Sequence, residues 1–541
     1  MSIETMMEAF AAKREAIEGE PLPPNVGAIL DQAVARYAER PFWVSVDDGD
    51  RLSYRQFAQA VERCAGALTG FGVERGTHVA VMLPNIPAFA ITWIALARLA
   101  AVMVPVNTRF TSRELEYVLR QSEAEVLVID REYMEVLHGI DDATQPVPRS
   151  RTIVHGGLAG GYDNDWDALL DGASSGLITD LKPDADELLT IQYTSGSTGF
   201  PKGCMLTHRY WTIIGRVRAR HGPPVQRMML DMPFYYMGGQ WRLLMALYLG
   251  ATVFVARRMS MGRFLDRLID HRIDFCSVSN ALAKLPDDPR YADLGLVWAG
   301  STDLNKDLHQ AFEDRVGAPI REIYGTTETG ATLSMPIEAT RMTGSGSCGL
   351  PVPFRQCKIV DGKGHEVATG KTGELWVSGA GIMKGYFKRP DADAEVMRGR
   401  WFRTGDLFFK DGDGFYTIRG RIKDVIRRSG ENIAASEIEA VLYEMPEILD
   451  AAAVPVADPD RGEEVKICIL LGPGLGKEDL PPERIMAFCR ERLAKFKLPR
   501  YIAYPDRLPK TAKGSIAKHE LLSEDKDPRE ASFDTVDGVW R

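Results

Sequence analysis

The chain has 541 residues, more than a single hydrophobic core accommodates, so two or more domains are expected. Its composition, 45% hydrophobic and 26% charged, is that of an ordinary globular protein, and a formal net charge of −9 argues against a nucleic-acid partner. Seven cysteines, scattered singly without a CxxC pair or a zinc-like Cys/His spacing, fit free thiols in a reducing cytoplasm.

The first segment, MSIETMMEAFAAKREA, mixes acidic and basic residues and lacks the apolar core of a signal peptide. Ala28–Arg40 and Tyr54–Phe71 carry helical periodicity, and His78–Leu83 and Val102–Val106 read as short strands. The most hydrophobic stretch, Ala88–Val106, holds Arg98, and its Ile91, Ile94, Ala95 and Leu99 recur at helical spacing. This predicts a buried helix of an α/β layer rather than a membrane span. Val126–Ile129, Thr252–Ala256 and Phe275–Val278 continue the strand series with helical segments between them. Repeated β-α-β order implies largely parallel sheets with helices on both faces.

Past Gly349 the pattern changes to short strands with turn signals: Gly373–Val377, then Asp411-Gly412-Asp413-Gly414 ahead of Phe415–Ile418. From about Gly420 a compact α+β unit is predicted. The capping-box pattern Ser436-x-x-Glu439 opens a helix with Ile438, Val441 and Leu442 on one face. Strands Ala451–Val456 and Val465–Leu471 follow, then a helix from Pro482 to Leu493, and the polar C-terminal residues are expected to be loose. The expected division is a large domain, 1–420, and a small one, 421–541.

Chemistry enters at Tyr193–Gly203, which reads YTSGSTGFPKG behind the apolar run Leu188-Leu189-Thr190-Ile191. A buried strand followed by a Gly/Ser/Thr loop can aim backbone amides, hydroxyls and one ammonium at clustered negative oxygens. A polyphosphate is the obvious anion, and a flexible linker is the alternative. A Walker loop is excluded, because Lys202 is followed by Gly203 and is separated from Gly199 by Phe200-Pro201.

The stretch resembles the phosphate loop of the adenylate-forming superfamily: acyl-CoA synthetases, peptide-synthetase adenylation domains and beetle luciferases. The match continues from about Asn25 to Leu522. The resemblance implies an α/β fold: a large N-terminal domain of parallel and mixed sheets flanked by helices, a β-rich subdomain, and a small mobile α+β C-terminal domain. It also implies ATP, Mg²⁺ and coenzyme A, a small to medium organic carboxylic acid as substrate, a cytoplasmic location and a possible homodimer. Thr194, Ser195, Gly196, Ser197, Thr198 and Gly199 would hold ATP, with Thr198 and Lys202 among the catalytic groups.

In Tyr324-Gly325-Thr326-Thr327-Glu328, Tyr324 would lie against adenine and Gly325 would border the acyl pocket. Thr326 and Thr327 would also meet ATP, Thr327 at the α-phosphate, and Glu328 would hold Mg²⁺, a hard carboxylate on a hard cation. In Arg403-Thr404-Gly405-Asp406, Asp406 would accept both ribose hydroxyls, with Arg421 reaching the same sugar. Gly300 and Ser301 would line the adenine and acyl pocket. Lys423 occupies the hinge position between domains. Arg428-Ser429-Gly430-Glu431-Asn432 resembles the pantetheine-tunnel loop, so that Ser429, Gly430 and Glu431 would meet coenzyme A. ENIAASEIE and LAKFKLPRYI look closest to the carnitine/crotonobetaine-CoA ligase branch.

Two positions depart from the pattern. Relatives place a lysine in a late P-x-T-x-x-G-K motif to bridge the substrate carboxylate and the α-phosphate; here Ser515 takes its place. Loss of that ammonium implies either an adenylation-impaired protein or replacement by Lys513, about 6.5–7 Å upstream on the same face if the segment is extended. In Pro233–Gly239, Tyr236 stands where many relatives have histidine. Tyr235, Tyr236, Gly239 and Gln240, with Gly300 and Gly325, are the expected acyl pocket, one that disfavours a long straight chain.

Overall fold

The computed structural model describes residues 2–158, 160–173, 182–194, 201–283, 285–302, 304, 306–421, 425–509, 516, 518–522 and 527–541. The fold is α/β, with two large sheets, flanking helices and a smaller C-terminal domain. It divides into two compact units: 1–108 with 119–193 and 203–420, and 109–118 with 194–202 and 421–541.

In the first unit, a seven-stranded sheet runs in the order Asn164–Asp165, Thr152–His155, Val126–Asp130, His78–Met82, Val102–Pro105, Leu188–Thr194, Lys202–Thr207. Its paired strands from Asn164–Asp165 to Leu188–Thr194 are parallel, with Val79 opposite both Met103 and Val126. Val126–Asp130 is buried along its whole length, as a parallel strand covered on both faces requires. The crossover helix Pro87–Arg98 is buried almost all round, which accounts for the hydrophobicity of Ala88–Val106. Arg98 leaves that core at the helix end and pairs with Asp31. Among the described residues, no helix is long and apolar enough to cross a membrane. Helix Tyr54–Gly70 starts at a reciprocal capping box: Ser53 Oγ accepts from the Gln56 amide at 3.1 Å, and Gln56 Oε1 from the Ser53 amide at 2.8 Å.

The second sheet has fourteen strands. Pro41–Ser45, Thr252–Val255, Arg227–Leu230, Phe275–Val278, Trp298–Ser301 and Ile320–Thr326 form its parallel half. Gly330–Ser334 then returns antiparallel beside Ile320–Thr326 and begins the second half, which includes Ser347–Pro351, Tyr416–Arg421, Trp401–Lys410, Gly373–Ser378 and Gln356–Val360. The change of grammar expected past Gly349 therefore starts earlier, at the hairpin that carries the second signature.

In the other unit, Ile448–Asp458 and Gly462–Leu471 form a long antiparallel pair inside a seven-stranded sheet. Ile426, Ile438, Leu442, Ile467, Ile485 and Cys489 belong to its core. Two expectations are corrected here. The helix begins at Ala435, so Ser436 is already inside it, and Glu439 accepts the Ala453 amide of a neighbouring strand at 2.7 Å instead of closing a capping box. The C-terminal residues are not loose throughout: Ser532–Asp534 pairs with Tyr501–Ala503, and Val539–Trp540 closes a hairpin on it. Asp534 is fully buried between Arg541 at 2.7 Å and Arg500 at 3.4 Å.

Candidate active site

In open α/β sheets, ligands bind beyond the carboxyl ends of the parallel strands. Gly300 and Ser301 end one strand, in register with Arg321 and Glu322 of the next, which continues into Tyr324-Gly325-Thr326. An added Cβ on Gly300 would meet nothing nearer than the Trp298 ring at 4.0 Å, so that strand end is open. Gly325 is solvent-exposed, whereas Tyr324 beside it is buried, with its ring edge on Phe408 at 4.9 Å between centroids.

The Tyr324 hydroxyl donates to Asp406 Oδ2 at 2.6 Å. This bond joins the second and third signatures, 82 residues apart in the chain, inside one buried site. Asp406 lies in the strand Trp401–Lys410, where the Thr404 hydroxyl accepts its amide at 3.1 Å and donates to Leu375 O at 2.8 Å. Glu374, from the adjacent strand, secures the rest of this segment. It accepts the Gly405 amide at 3.2 Å and pairs with Arg403 at 3.0 Å. Sequence reading passed over Glu374; a carboxylate inside the apolar strand Gly373–Ser378 is the signal that could have found it.

Glu328 is half-buried, and its Oε1 accepts the Tyr386 hydroxyl at 3.0 Å. Burial, and then the nearby Glu328 charge, push the Tyr386 phenol far above its ordinary range, so it stays a donor. Thr326, Thr329 and Thr332 form a hydroxyl ladder behind this turn, at 3.1 and 2.7 Å. Thr327 is half-buried in the turn itself. Arg355, fully buried, donates to the carbonyls of Thr329, Phe354, Ala380 and Gly381 and clamps the hairpin from below. Burial lowers its pKa to about 10, still a cation at neutral pH. Neither Tyr386 nor Arg355 carries a local motif, so neither was found from sequence.

A single carboxylate held by a phenol is suited to Mg²⁺, which keeps most of its waters and binds through one or two carboxylates plus substrate phosphates. Among the described residues, no group of three or more His, Cys, Asp or Glu side chains gathers into a metal cage. Glu328, with Tyr386 as its donor, fits a cation that is shared with a nucleotide.

The aromatic turn precedes helix Met237–Leu249. The Tyr235 and Tyr236 rings meet edge to face at 4.7 Å, and Asn107 Nδ2 donates to the Tyr236 hydroxyl at 3.2 Å. Gln240 is fully buried; its Nε2 donates to Phe234 O at 2.7 Å and to Gln192 Oε1 at 3.2 Å, while Gln192 donates to Tyr235 O at 2.6 Å. A Cβ on Gly239 would stand 2.8 Å from Pro233 O, so this tight turn requires glycine.

Thr194 ends the strand Leu188–Thr194, its hydroxyl 3.5 Å from Lys202 O, and buried Lys202 opens the next strand. A Cβ on Gly203 would collide with Ile191 at 2.5 Å, which explains the glycine after the lysine. Arg421 ends the strand Tyr416–Arg421. Ser429 and Gly430, with φ of 50° and 82°, form the exposed two-residue turn between Val425–Arg428 and Glu431–Ala434, and Glu431 is buried. Ser195, Gly196, Ser197, Thr198, Gly199, Lys423, Lys513 and Ser515 lie outside the described residues.

The family model for AMP-binding enzymes matches residues 30–387, and that for the AMP-binding enzyme C-terminal domain matches 437–515. The chain is 32% identical to feruloyl-CoA synthase of Amycolatopsis sp over 482 residues, 87% of this chain and 94% of that protein. It is likewise 30% identical to a long-chain-fatty-acid–CoA ligase of Salmonella typhi over 560 residues, 92% of this chain and 94% of that one. Among solved structures, a double mutant of o-succinylbenzoate CoA synthetase from Bacillus subtilis shares the fold with a TM-score of 0.79 at 24% identity, covering 93% of this chain and 99% of that one. ATP-bound MatB from Rhodopseudomonas palustris aligns with a TM-score of 0.66 at 25% identity, covering 92% and 98%. The chain belongs to the AMP-binding enzymes of the adenylate-forming superfamily, among the acyl-CoA synthetases.

Proposed function

We propose that this protein is an AMP-forming acid–CoA ligase that activates a small to medium organic carboxylic acid and transfers it to coenzyme A. The observation that carries the site assignment is the buried Tyr324–Asp406 hydrogen bond, which joins two nucleotide signatures across the sheet. In this reading Tyr324 faces adenine, Asp406 takes the ribose hydroxyls with Arg421, and Thr327 meets the α-phosphate. The loop 194–199 and Lys202 hold the remaining phosphates.

A carboxylate oxygen attacks the α-phosphorus, the bond to pyrophosphate breaks, and an acyl-adenylate forms. The thiolate of coenzyme A then attacks the acyl carbon and AMP leaves. Because nucleophile and phosphate are both anionic, the protein's part is neutralisation and positioning. Glu328, oriented by Tyr386, would hold Mg²⁺, which neutralises phosphate charge when bound. Gly300, Gly325, Tyr235, Tyr236, Gly239 and Gln240 border the acid. Ser429, Gly430 and Glu431 would meet coenzyme A after the small domain, 421–541, turns about Lys423. Lys513 supplies the charge that Ser515 lacks.

The dispersed cysteines support a cytoplasmic location. A homodimer and the carnitine/crotonobetaine branch follow from resemblance. The test is a panel of short, branched, hydroxylated, aromatic and trimethylammonium acids, scored for CoA-dependent AMP production. AMP release that free coenzyme A fails to accelerate would point to another acceptor. Nucleotide binding without pyrophosphate exchange for every acid would instead identify an adenylation-impaired paralogue.

A further inference from the structure

Two buried guanidiniums lie beside the aromatic turn and take no part in the chemistry above. Arg242, one turn into helix Met237–Leu249, donates Nη1 to Gly238 O at 2.5 Å and Nη2 to the Ser277 hydroxyl. Ser277 is in register with Gly300. The guanidinium therefore spans the glycine turn and the strand position next to Gly300, two borders of the acyl pocket as assigned here. A Cβ on Gly238 would come within 3.3 Å of Nη1, so a glycine there allows this approach.

Arg218, from helix His208–Ala219, lies over the same indole. The guanidinium carbons are 4.2 Å (Arg242) and 5.2 Å (Arg218) from the Trp241 ring centroid. Arg218 donates Nη1 to Ser334 Oγ at 3.3 Å, and its Nε is buried with no hydrogen-bond partner among the described residues.

The electrostatics are unbalanced in one direction. Burial first, and then Arg242, lower Arg218 to about 9; burial lowers Arg242 to about 10. Asp231 is the carboxylate acting on Arg242, and burial raises its own pKa. His221, also buried, is held neutral, down to about 3, by burial and by Arg218, Lys13 and Arg321. Asp231 thus offsets Arg242, whereas the neighbour that favours the Arg218 charge is the Tyr210 phenol, in a place where an uncompensated charge is costly.

We propose that the acid activated by this enzyme carries a second carboxylate, which pairs with Arg242 and Arg218 beside Trp241. The substrate class is then dicarboxylic acids. This rests on the acid–CoA ligase reading and deepens it. A carboxylate has acceptor sites for several donors, and charge-assisted bonds to guanidinium are the strong kind. Its negative charge would also offset the mutual repulsion of the two arginines. A monocarboxylic acid of equal length would leave both cations facing an apolar tail.

The test compares matched acids, glutarate with valerate and phthalate with benzoate, by CoA-dependent AMP formation with the full chain. The wild type is expected to favour the better diacid over its monoacid by about a hundredfold in kcat/KM, the scale of leaving buried donors unsatisfied. Arg242→Met is expected to collapse that ratio. If that variant fails to fold, Arg242→Lys carries the same test, because it keeps the charge and loses the planar fork. Thermal shift gives a second readout: the favoured diacid should raise the Tm of the wild type and not that of the variant. A wild-type preference for the monoacids, or a ratio unchanged by either substitution, would overturn the proposal and leave the ligase reading intact. No AMP from any acid, in this set or in the wider panel, would overturn the ligase reading and this inference with it.

Discussion

Replacing Gly325 by alanine tests whether the hairpin bearing the second signature is the positioning element of the active site. Gly325 is opposite Ala331, just past a register shift in the hairpin. A Cβ there would stand 2.2 Å from Gly330 O and 3.1 Å from its carbonyl carbon. Real Cβ contacts essentially never fall under 3.0 Å, and the neighbour is backbone rather than a side chain that can swing away. The strands must therefore part by roughly 1 Å, a displacement that can cost about a hundredfold in rate when it moves catalytic groups. Tyr324 and Glu328 flank the bend, and Arg355 anchors its far side through Thr329 O, so the strain has little room to dissipate. Overpacking of this kind also destabilises by about 1–3 kcal/mol. Acid-dependent ATP–pyrophosphate exchange should fall about a hundredfold in Gly325→Ala, with a lowered Tm. Gly295→Ala, whose Cβ would meet nothing within 4 Å, is the control and should behave as wild type. Unchanged exchange in Gly325→Ala would refute the argument, because it would mean that the hairpin can open without disturbing the chemistry.

Tyr324→Phe deletes one hydrogen bond to a buried carboxylate, worth about 1.5–3 kcal/mol, and should weaken ATP binding by roughly ten- to a hundredfold in a nucleotide titration. Asp534→Asn should destabilise the fold by about 1–2 kcal/mol in denaturant unfolding, because the buried carboxylate loses its charge-assisted bonds to Arg500 and Arg541, which keep Asp458 and Asp537 as partners. The same carboxylate predicts acid sensitivity: burial opposes its charge, but Arg541, the amides of Val536 and Asp537, and Arg500 outweigh that and hold it at about 2. Its stabilisation is complete above the ordinary aspartate value near 4 and is lost as pH falls towards 2, a decline that Asp534→Asn should lack. Lys513→Ala should abolish pyrophosphate exchange if Lys513 stands in for the lysine missing at Ser515, and Ser515→Lys should restore it; an unchanged rate in Lys513→Ala would reject the substitution.

What was legible in the sequence was what neighbouring residues write together. Val126–Asp130 and Phe275–Val278 declared themselves as strands because burial on both faces leaves a short apolar run, and Pro87–Arg98 as a buried helix because Ile91, Ile94, Ala95 and Leu99 recur at helical spacing. The second signature is equally local, a turn at the end of the strand Ile320–Thr326, and the third lies within the single strand Trp401–Lys410. The errors came from contacts made across distance. Ser436 and Glu439 have the spacing of a capping box, but Glu439 is used by Ala453, on a strand that local spacing cannot see. The tail reads as polar and loose because its arginines and aspartates look solvated in sequence, whereas Asp534 is interior and neutralised by Arg500. Asp406 makes the same case within the site. Its motif marks the residue, but its position is set by Tyr324 from one strand and, through Gly405 and Arg403, by Glu374 from another. Strand order brings those groups together, and strand order is decided by which apolar faces pair, which no single motif records. The supporting residues Glu374, Tyr386 and Arg355 are therefore where substitutions should impair nucleotide binding without touching any recognisable signature.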